Sequence, residues 1–137
     1  MQYRVTLRQS EEGWAVSCPA LPGCHSQGNT REEAIENIKD AIREWLAVDA
    51  EENGVTRIEE ELVAILVVPK LPGISHARAV RVFAKLGFRV VREGKHTIMS
   101  NGDLILVIPR HTVINAFTMG GIAADAGLTL EQFREHL

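Results

Sequence analysis

The chain has 137 residues, the size of one ordinary domain, with 18 Asp/Glu against 15 Lys/Arg and a formal net charge of −3. No apolar run approaches the ~20 residues of a membrane span. The alternating pattern that begins at Met1-Gln2-Tyr3-Arg4 leaves no room for a secretion signal, so a soluble cytoplasmic protein is expected. Charge is unevenly placed, however. Residues 1–68 carry six basic and thirteen acidic side chains, whereas residues 69–137 carry nine basic and five acidic. The sign changes at Pro69-Lys70-Leu71-Pro72-Gly73, a stretch that neither helix nor central strand tolerates well. Two small units, 1–68 and 69–137, are therefore expected. A unit near 60 residues buries only ~60 % of its unfolded surface, so each would gain by packing on the other. A basic unit joined to an acidic one points to a nucleic-acid-seeking half beside a half able to mimic or repel polyanions.

In chain order, Tyr3, Val5 and Leu7 alternate with Arg4, Thr6 and Arg8, as in a half-buried strand. Glu11-Glu12-Gly13 turns the chain, and Trp14, Val16 and Cys18 alternate with Ala15 and Ser17, which predicts a hairpin. A loop over Pro19–Gly23 leads to a short strand, Cys24-His25-Ser26-Gln27, and Gly28-Asn29 ends it. Thr30 then caps a helix, and Glu33 three residues on completes a capping box. Ala34, Ile35, Ile38, Ala41, Ile42, Trp45 and Leu46 share one face of that helix, which Asn53-Gly54 should stop. Leu62–Val68 is an apolar run of strand length. The order is β-β-β-α-β. Cys18 and Cys24 match no zinc or redox spacing and read as free thiols, His25 reads as a loop or edge-strand residue, and neither a metal nor a cofactor is expected.

Pro19-Ala20-Leu21-Pro22-Gly23-Cys24-His25-Ser26-Gln27-Gly28-Asn29-Thr30, followed by Glu32-Glu33-Ala34, closely resembles the signature of the HicB antitoxin family. The resemblance covers residues 2–68. It implies a partial ribonuclease-H-like β-β-β-α-β unit that has lost nuclease function.

In the second half, Ser75 is the expected N-cap of a helix that turns Ala79, Val80, Phe83 and Leu86 inward and stops at Gly87. Arg78, Arg81 and Lys85 form a basic stripe along it, suited to phosphate contact. Phe88–Glu93, His96–Ser100 and Asp103–Ile108 read as strands, the last two joined by a two-residue Asn101-Gly102 turn. That turn would set Ile98 opposite Ile105 and His96 opposite Val107. His96, Ile98, Ile105, Val107 and, if the strand continues, His111 would then share one face, with Thr97, Met99, Leu104, Leu106 and Ile108 on the other. A face carrying histidine among aliphatics is ill suited to bare water, so a nucleic acid or the acidic half should dock there. A helix from Thr118 to Ala126 and a short one capped by Thr129-Leu130-Glu131-Gln132 complete an α-β-β-β-α unit, and the chain is expected to be α+β.

Leu71-Pro72-Gly73 before the helix, Gly87-Phe88, Gly94-Lys95-His96, Ile108-Pro109-Arg110-His111 and Ala126-Gly127-Leu128-Thr129 together resemble the HicA toxin family. The resemblance covers residues 70–137. It implies a double-stranded-RNA-binding-like fold and metal-independent mRNA endoribonuclease activity centred on one histidine in a Gly-Ser-His element. Here that element reads Gly94-Lys95-His96-Thr97, so His96 is the matching catalytic residue and lysine stands where the family carries serine.

A histidine with near-neutral pKa can deprotonate the RNA 2′-hydroxyl or protonate the leaving 5′-oxygen, a contribution of ~10²–10⁴-fold. Lys95, Arg110 and His111 are candidates for phosphate contact beside it, as are Arg78, Arg81 and Lys85 on the helix. The expected whole is a single-chain toxin–antitoxin protein whose first half inhibits its second, within the chain or across a homodimer, with mRNA as the other partner. The alternative is a catalytically inactive RNA-binding or regulatory protein built from the same two units.

Overall fold

Exposure alternates residue by residue from Gln2 to Arg8, with Tyr3, Val5 and Leu7 packed inward, as a half-buried strand requires. In the computed structural model, which describes residues 2–52 and 70–137, ladder pairing starts at β1 (Thr6–Ser10). The chain turns through Glu11-Glu12 and returns as β2 (Gly13–Ser17). Gly13 adopts φ +106° and lies so close to β3 that a Cβ would sit 2.8 Å from the Gly28 carbonyl oxygen, so no larger residue fits this corner. β3 (His25–Gly28) pairs antiparallel with β2, completing a sheet ordered β1-β2-β3. Thr30 Oγ1 accepts from the Glu33 N–H at 3.1 Å and starts α1 (Arg31–Glu52). Ala34, Ile38, Ala41, Trp45 and Val48 form its buried stripe. The predicted stop at Asn53-Gly54 and the predicted strand Leu62–Val68 lie outside the described residues.

The second half begins with α2 (His76–Lys85), whose N-cap is Ser75: its Oγ accepts from the Arg78 N–H at 3.2 Å. β4 (Arg89–Glu93), β5 (His96–Ser100) and β6 (Ile105–Pro109) form an antiparallel sheet in that order. α3 (Ala116–Asp125) and α4 (Leu130–Glu135) follow. The Thr129/Gln132 capping box predicted for α4 is present in both directions. α3 starts two residues before the predicted Thr118. Asn115 caps it through the Phe117 N–H at 2.9 Å, and Glu12, from the β1–β2 turn, accepts from the Ala116 N–H at 3.2 Å. Half of that cap comes from a carboxylate remote in sequence, which no local pattern announces.

The predicted β5–β6 turn needs correcting. The pairing is Ser100 with Ile105, Ile98 with Val107 and His96 with Pro109, so the loop has four residues, 101–104, rather than two. A two-residue type I′ turn would need positive φ at Asn101 as well as Gly102, and only the glycine has it. Asn101 instead spends its side chain on the loop, its Oδ1 accepting from the N–H groups of Asp103 (2.9 Å) and Leu104 (2.7 Å). The register moves by two residues, an even number, so each side chain keeps its predicted face.

Those two faces belong to two cores. Met99, Leu106 and Ile108 pack with α2, α3 and α4 around Phe83 and Phe133, whose rings meet edge to face with centroids 5.6 Å apart. Ile98, Ile105 and Val107 pack on the opposite side with Val16, Leu21, Ala34, Ile38 and Trp45 of the first half. The sheets lie side by side, bridged where the Val107 N–H donates to the Gly23 carbonyl at 2.8 Å. α1 crosses one face of both sheets, reaching β2 and β3 and also β5 and β6, while α3 covers β2, β3 and β6 from the other side.

Candidate functional site

Each residue of β3 is buried, although all four are polar or glycine. Pairing with β2 sends Ser26 to the same side as Val16 and α1, and His25 and Gln27 to the side of α3. Each of these side chains then meets a partner from the second half. Gln27 Oε1 accepts from the Asn115 N–H at 2.7 Å. His25 Nε2 and Asp125 Oδ2, at the end of α3, are 2.6 Å apart, and the same carboxylate oxygen accepts from the Gly23 N–H at 3.1 Å. Burial alone would raise the pKa of Asp125, but the hydrogen bond and charge of His25, with the Gly23 N–H, hold it below its ordinary value.

Ser26 reaches His96. Its Oγ is 2.7 Å from Nε2 of the imidazole, which is only 3 % exposed. The other ring nitrogen faces Glu44 of α1 at 3.7 Å, too far for a hydrogen bond, and neither His96 Nδ1 nor Glu44 Oε2 has a hydrogen-bond partner. Burial dominates here. It pushes His96 down to about 4 against the pull of Asp40, and it raises Glu44. At neutral pH the ring is therefore uncharged, clamped by a serine and shut from solvent.

Around it, α1 lays a row of carboxylates against the basic strands. Asp40 pairs with Lys95 at 2.9 Å, Glu51 with Arg92 at 3.1 Å and Glu52 with Arg89 at 3.2 Å. Solvent screens each such exposed pair, so each adds little by itself, and together they align α1 with β4 and the β4–β5 turn. Three of the nine basic residues of the second half are thus paired with carboxylates of the first.

The predicted site residues separate into two groups. His96, Lys95, Arg110 and His111 gather at one end of the β5–β6 hairpin. Arg110 donates to the Gly94 carbonyl at 3.1 Å, and His111, just past the end of β6, contributes to lowering the His96 pKa. Arg78, Arg81 and Lys85 are exposed on α2, which packs against the Met99 face of the sheet rather than the His96 face. Lys85 is held by the His136 carbonyl at 3.2 Å. Ser26, Glu44, His25 and Asp125 were not singled out as site residues from sequence, and only the polar make-up of a strand as short as β3 hinted that its side chains face polar partners. Among the described residues no cluster of His, Cys, Asp and Glu is arranged to hold a metal, Cys18 and Cys24 are both buried, and no helix is long and apolar enough to cross a membrane.

Comparison with known proteins gives this geometry a context. Residues 3–70 match the family described as HicB-like antitoxin of bacterial toxin–antitoxin systems. A UPF0150 protein of Thermoplasma acidophilum is 49 % identical over 47 residues, covering 34 % of this chain and 68 % of that one. A UPF0150 protein of Archaeoglobus fulgidus is 35 % identical over 65 residues, 43 % of this chain and 94 % of the relative. Antitoxin HicB 1 of Photorhabdus laumondii is 51 % identical over 43 residues, 31 % of this chain but only 28 % of the antitoxin. No solved structure matches the chain.

Proposed function

The chain belongs, through residues 3–70, to the HicB-like antitoxins of bacterial toxin–antitoxin systems, and from that premise we propose that it joins antitoxin and toxin in one polypeptide. Residues 1–68 are the inhibitor, a partial ribonuclease-H-like unit. Residues 69–137 are a HicA-like, double-stranded-RNA-binding-like unit that cleaves mRNA with His96. The observation that carries this reading is the clamp on His96. The histidine that the motif selects is the one the antitoxin-family half covers, through Ser26 and the carboxylate row of α1. An inhibitor that supplies carboxylates where phosphates would lie competes directly with a polyanionic substrate.

In the uncovered chain, the His96 imidazole regains solvent and with it a pKa near neutrality. As the neutral base it takes the proton from a 2′-hydroxyl, whose oxygen attacks the adjacent phosphorus. The bond to the 5′-oxygen breaks and that oxygen takes up a proton, leaving a 2′,3′-cyclic phosphate. DNA has no such hydroxyl, so the chemistry selects RNA without reading bases. Lys95, released from Asp40, offsets charge on the pentavalent phosphorus, and Arg110 contacts a neighbouring phosphate. In this reading the cover acts within one chain, through Ser26 and the carboxylates of α1.

The test uses the full chain, the Gly23→Ala chain, whose added Cβ would lie 1.9 Å from the Ile105 carbonyl oxygen and pry the halves apart, and Gly23→Ala combined with His96→Ala. RNA cleavage is assayed with chelator present, and circular dichroism checks that each variant is folded. Cleavage by the opened chain alone is expected. A folded, opened chain that binds RNA without cutting it would establish the inactive RNA-binding alternative.

A further inference from the structure

A cleft of about 360 Å³ lies on the second half, lined by Ser75, His76, Ala77, Arg110, His111 and Thr112. Among the described residues, none of the first half lines it, while His96 is covered by that half. Ala77, Arg110 and Thr112 are exposed, and Ser75, His76 and His111 are part-exposed. Its walls are cationic or neutral: one guanidinium, two imidazoles and two hydroxyls. The first turn of α2, which forms one wall, carries no acidic residue. Arg110 is oriented by its bond to the Gly94 carbonyl, and His76 by a 2.7 Å contact between its Nε2 and Thr97 Oγ1, the neighbour of His96. After burial, the charge of Arg110 is the main influence holding His76 below its ordinary pKa, with Glu93 pulling the other way. Two groups that repel each other when both are charged are thus held across one open cleft, an arrangement that an anion between them relieves.

We infer that this cleft is a phosphodiester-binding subsite for single-stranded RNA that remains available in the closed chain, so that RNA is held beside the covered histidine before it can be cut. This deepens the ribonuclease reading and rests on it for the identity of the polyanion. Pro109 pairs with His96 across the hairpin, and Arg110 and His111 follow it in the chain, so the cleft opens at the end of the hairpin that carries His96, within reach of one RNA strand that passes around that end. Binding and cleavage are then separate events. The first is decided by a surface the inhibitor leaves free, the second by removal of the Ser26 clamp.

The experiment measures fluorescence anisotropy of a short labelled single-stranded RNA with the full, closed chain over a range of salt concentrations. Two variants are compared with wild type, Ala77→Glu and Arg110→Gln. A glutamate in the first turn of α2 favours the helix, so Ala77→Glu keeps or raises the melting temperature while placing a negative charge in the cleft. It is expected to weaken binding roughly tenfold or more, and Arg110→Gln to reduce the slope of log affinity against log salt by about one. Failure of the closed wild type to bind the RNA, or unchanged affinity and slope in both variants, would overturn the subsite. Cleavage by the Gly23→Ala chain is scored separately. Cleft-dependent binding without cleavage keeps the subsite and removes the nuclease, and cleavage without cleft-dependent binding does the reverse.

Discussion

Ser26 and His96, seventy residues apart in sequence, meet through a 2.7 Å hydrogen bond in the interior of the molecule. It joins β3 of the antitoxin-family half to β5 of the basic half and satisfies one ring nitrogen, while the other has no hydrogen-bond partner. An imidazole with one buried nitrogen already unpaired is poorly placed to lose the second bond.

Replacing Ser26 by alanine leaves both nitrogens of His96 without a partner. A cost of ~1–3 kcal/mol is expected, seen as a lower unfolding midpoint in denaturant and as faster hydrogen exchange along β3 and β5. If the Gly23→Ala chain cleaves RNA, Ser26→Ala should do so too, at a lower rate. Exchange rates identical to wild type would show that the bond contributes nothing to closure.

Acid should open the chain. The closed form holds His96 at about 4, below its ordinary 6.5, so protonation favours whichever form exposes the ring. Closure is at full strength above pH 6.5 and weakens as pH falls toward 4, by roughly 3 kcal/mol across that window. His96→Gln removes this titration and should reduce the loss of thermal stability over the same range, leaving the contribution of His76, which burial also holds below its ordinary value. Asp125, also held below its ordinary 3.8, adds a second loss of stability that begins only below that value. Stepped thermal melts of both proteins resolve the two windows.

Gly121 of α3 packs against the His25 ring, where a Cβ would lie 2.7 Å from Cε1. Because that ring is also tied to Asp125, it cannot step aside freely. Gly121→Ala is expected to destabilise by ~1–3 kcal/mol through overpacking. His25→Ala should restore part of this when the two changes are combined, giving a coupling of ~0.5–3 kcal/mol in a double-mutant cycle. Simple additivity would mean that the two groups do not press on one another.

The Asn101 side chain holds two backbone N–H groups of the β5–β6 loop. Asn101→Ala should cost ~1–2 kcal/mol, comparable to losing a helix cap, without changing which side chains of β5 and β6 face which core. Loss of stability together with retained protection of the Val107 amide, bonded to Gly23, is the expected exchange pattern.

Much of this was written locally. The caps at Ser75 and Thr129, the stripe of α1 and the alternation of β1 depend on atoms a few residues apart, and each was legible from spacing alone. The two faces of the β5–β6 hairpin were legible for a subtler reason: side chains repeat every second residue, so a turn misjudged by an even number still assigns them correctly. His96 stood out through the motif around it, and the opposed charges of the halves announced that something acidic would meet something basic. What tertiary structure alone decided was the identity of the contacts: Ser26 on His96, Glu44 beside it, His25 on Asp125 and Glu12 capping α3. Such pairs have no period and no spacing, because they form between segments whose meeting is set by how α1 lies across two sheets at once. The burial that depresses the His96 pKa is likewise a property of the assembled molecule, since it depends on solvent being excluded by a half of the chain that sequence places seventy residues away.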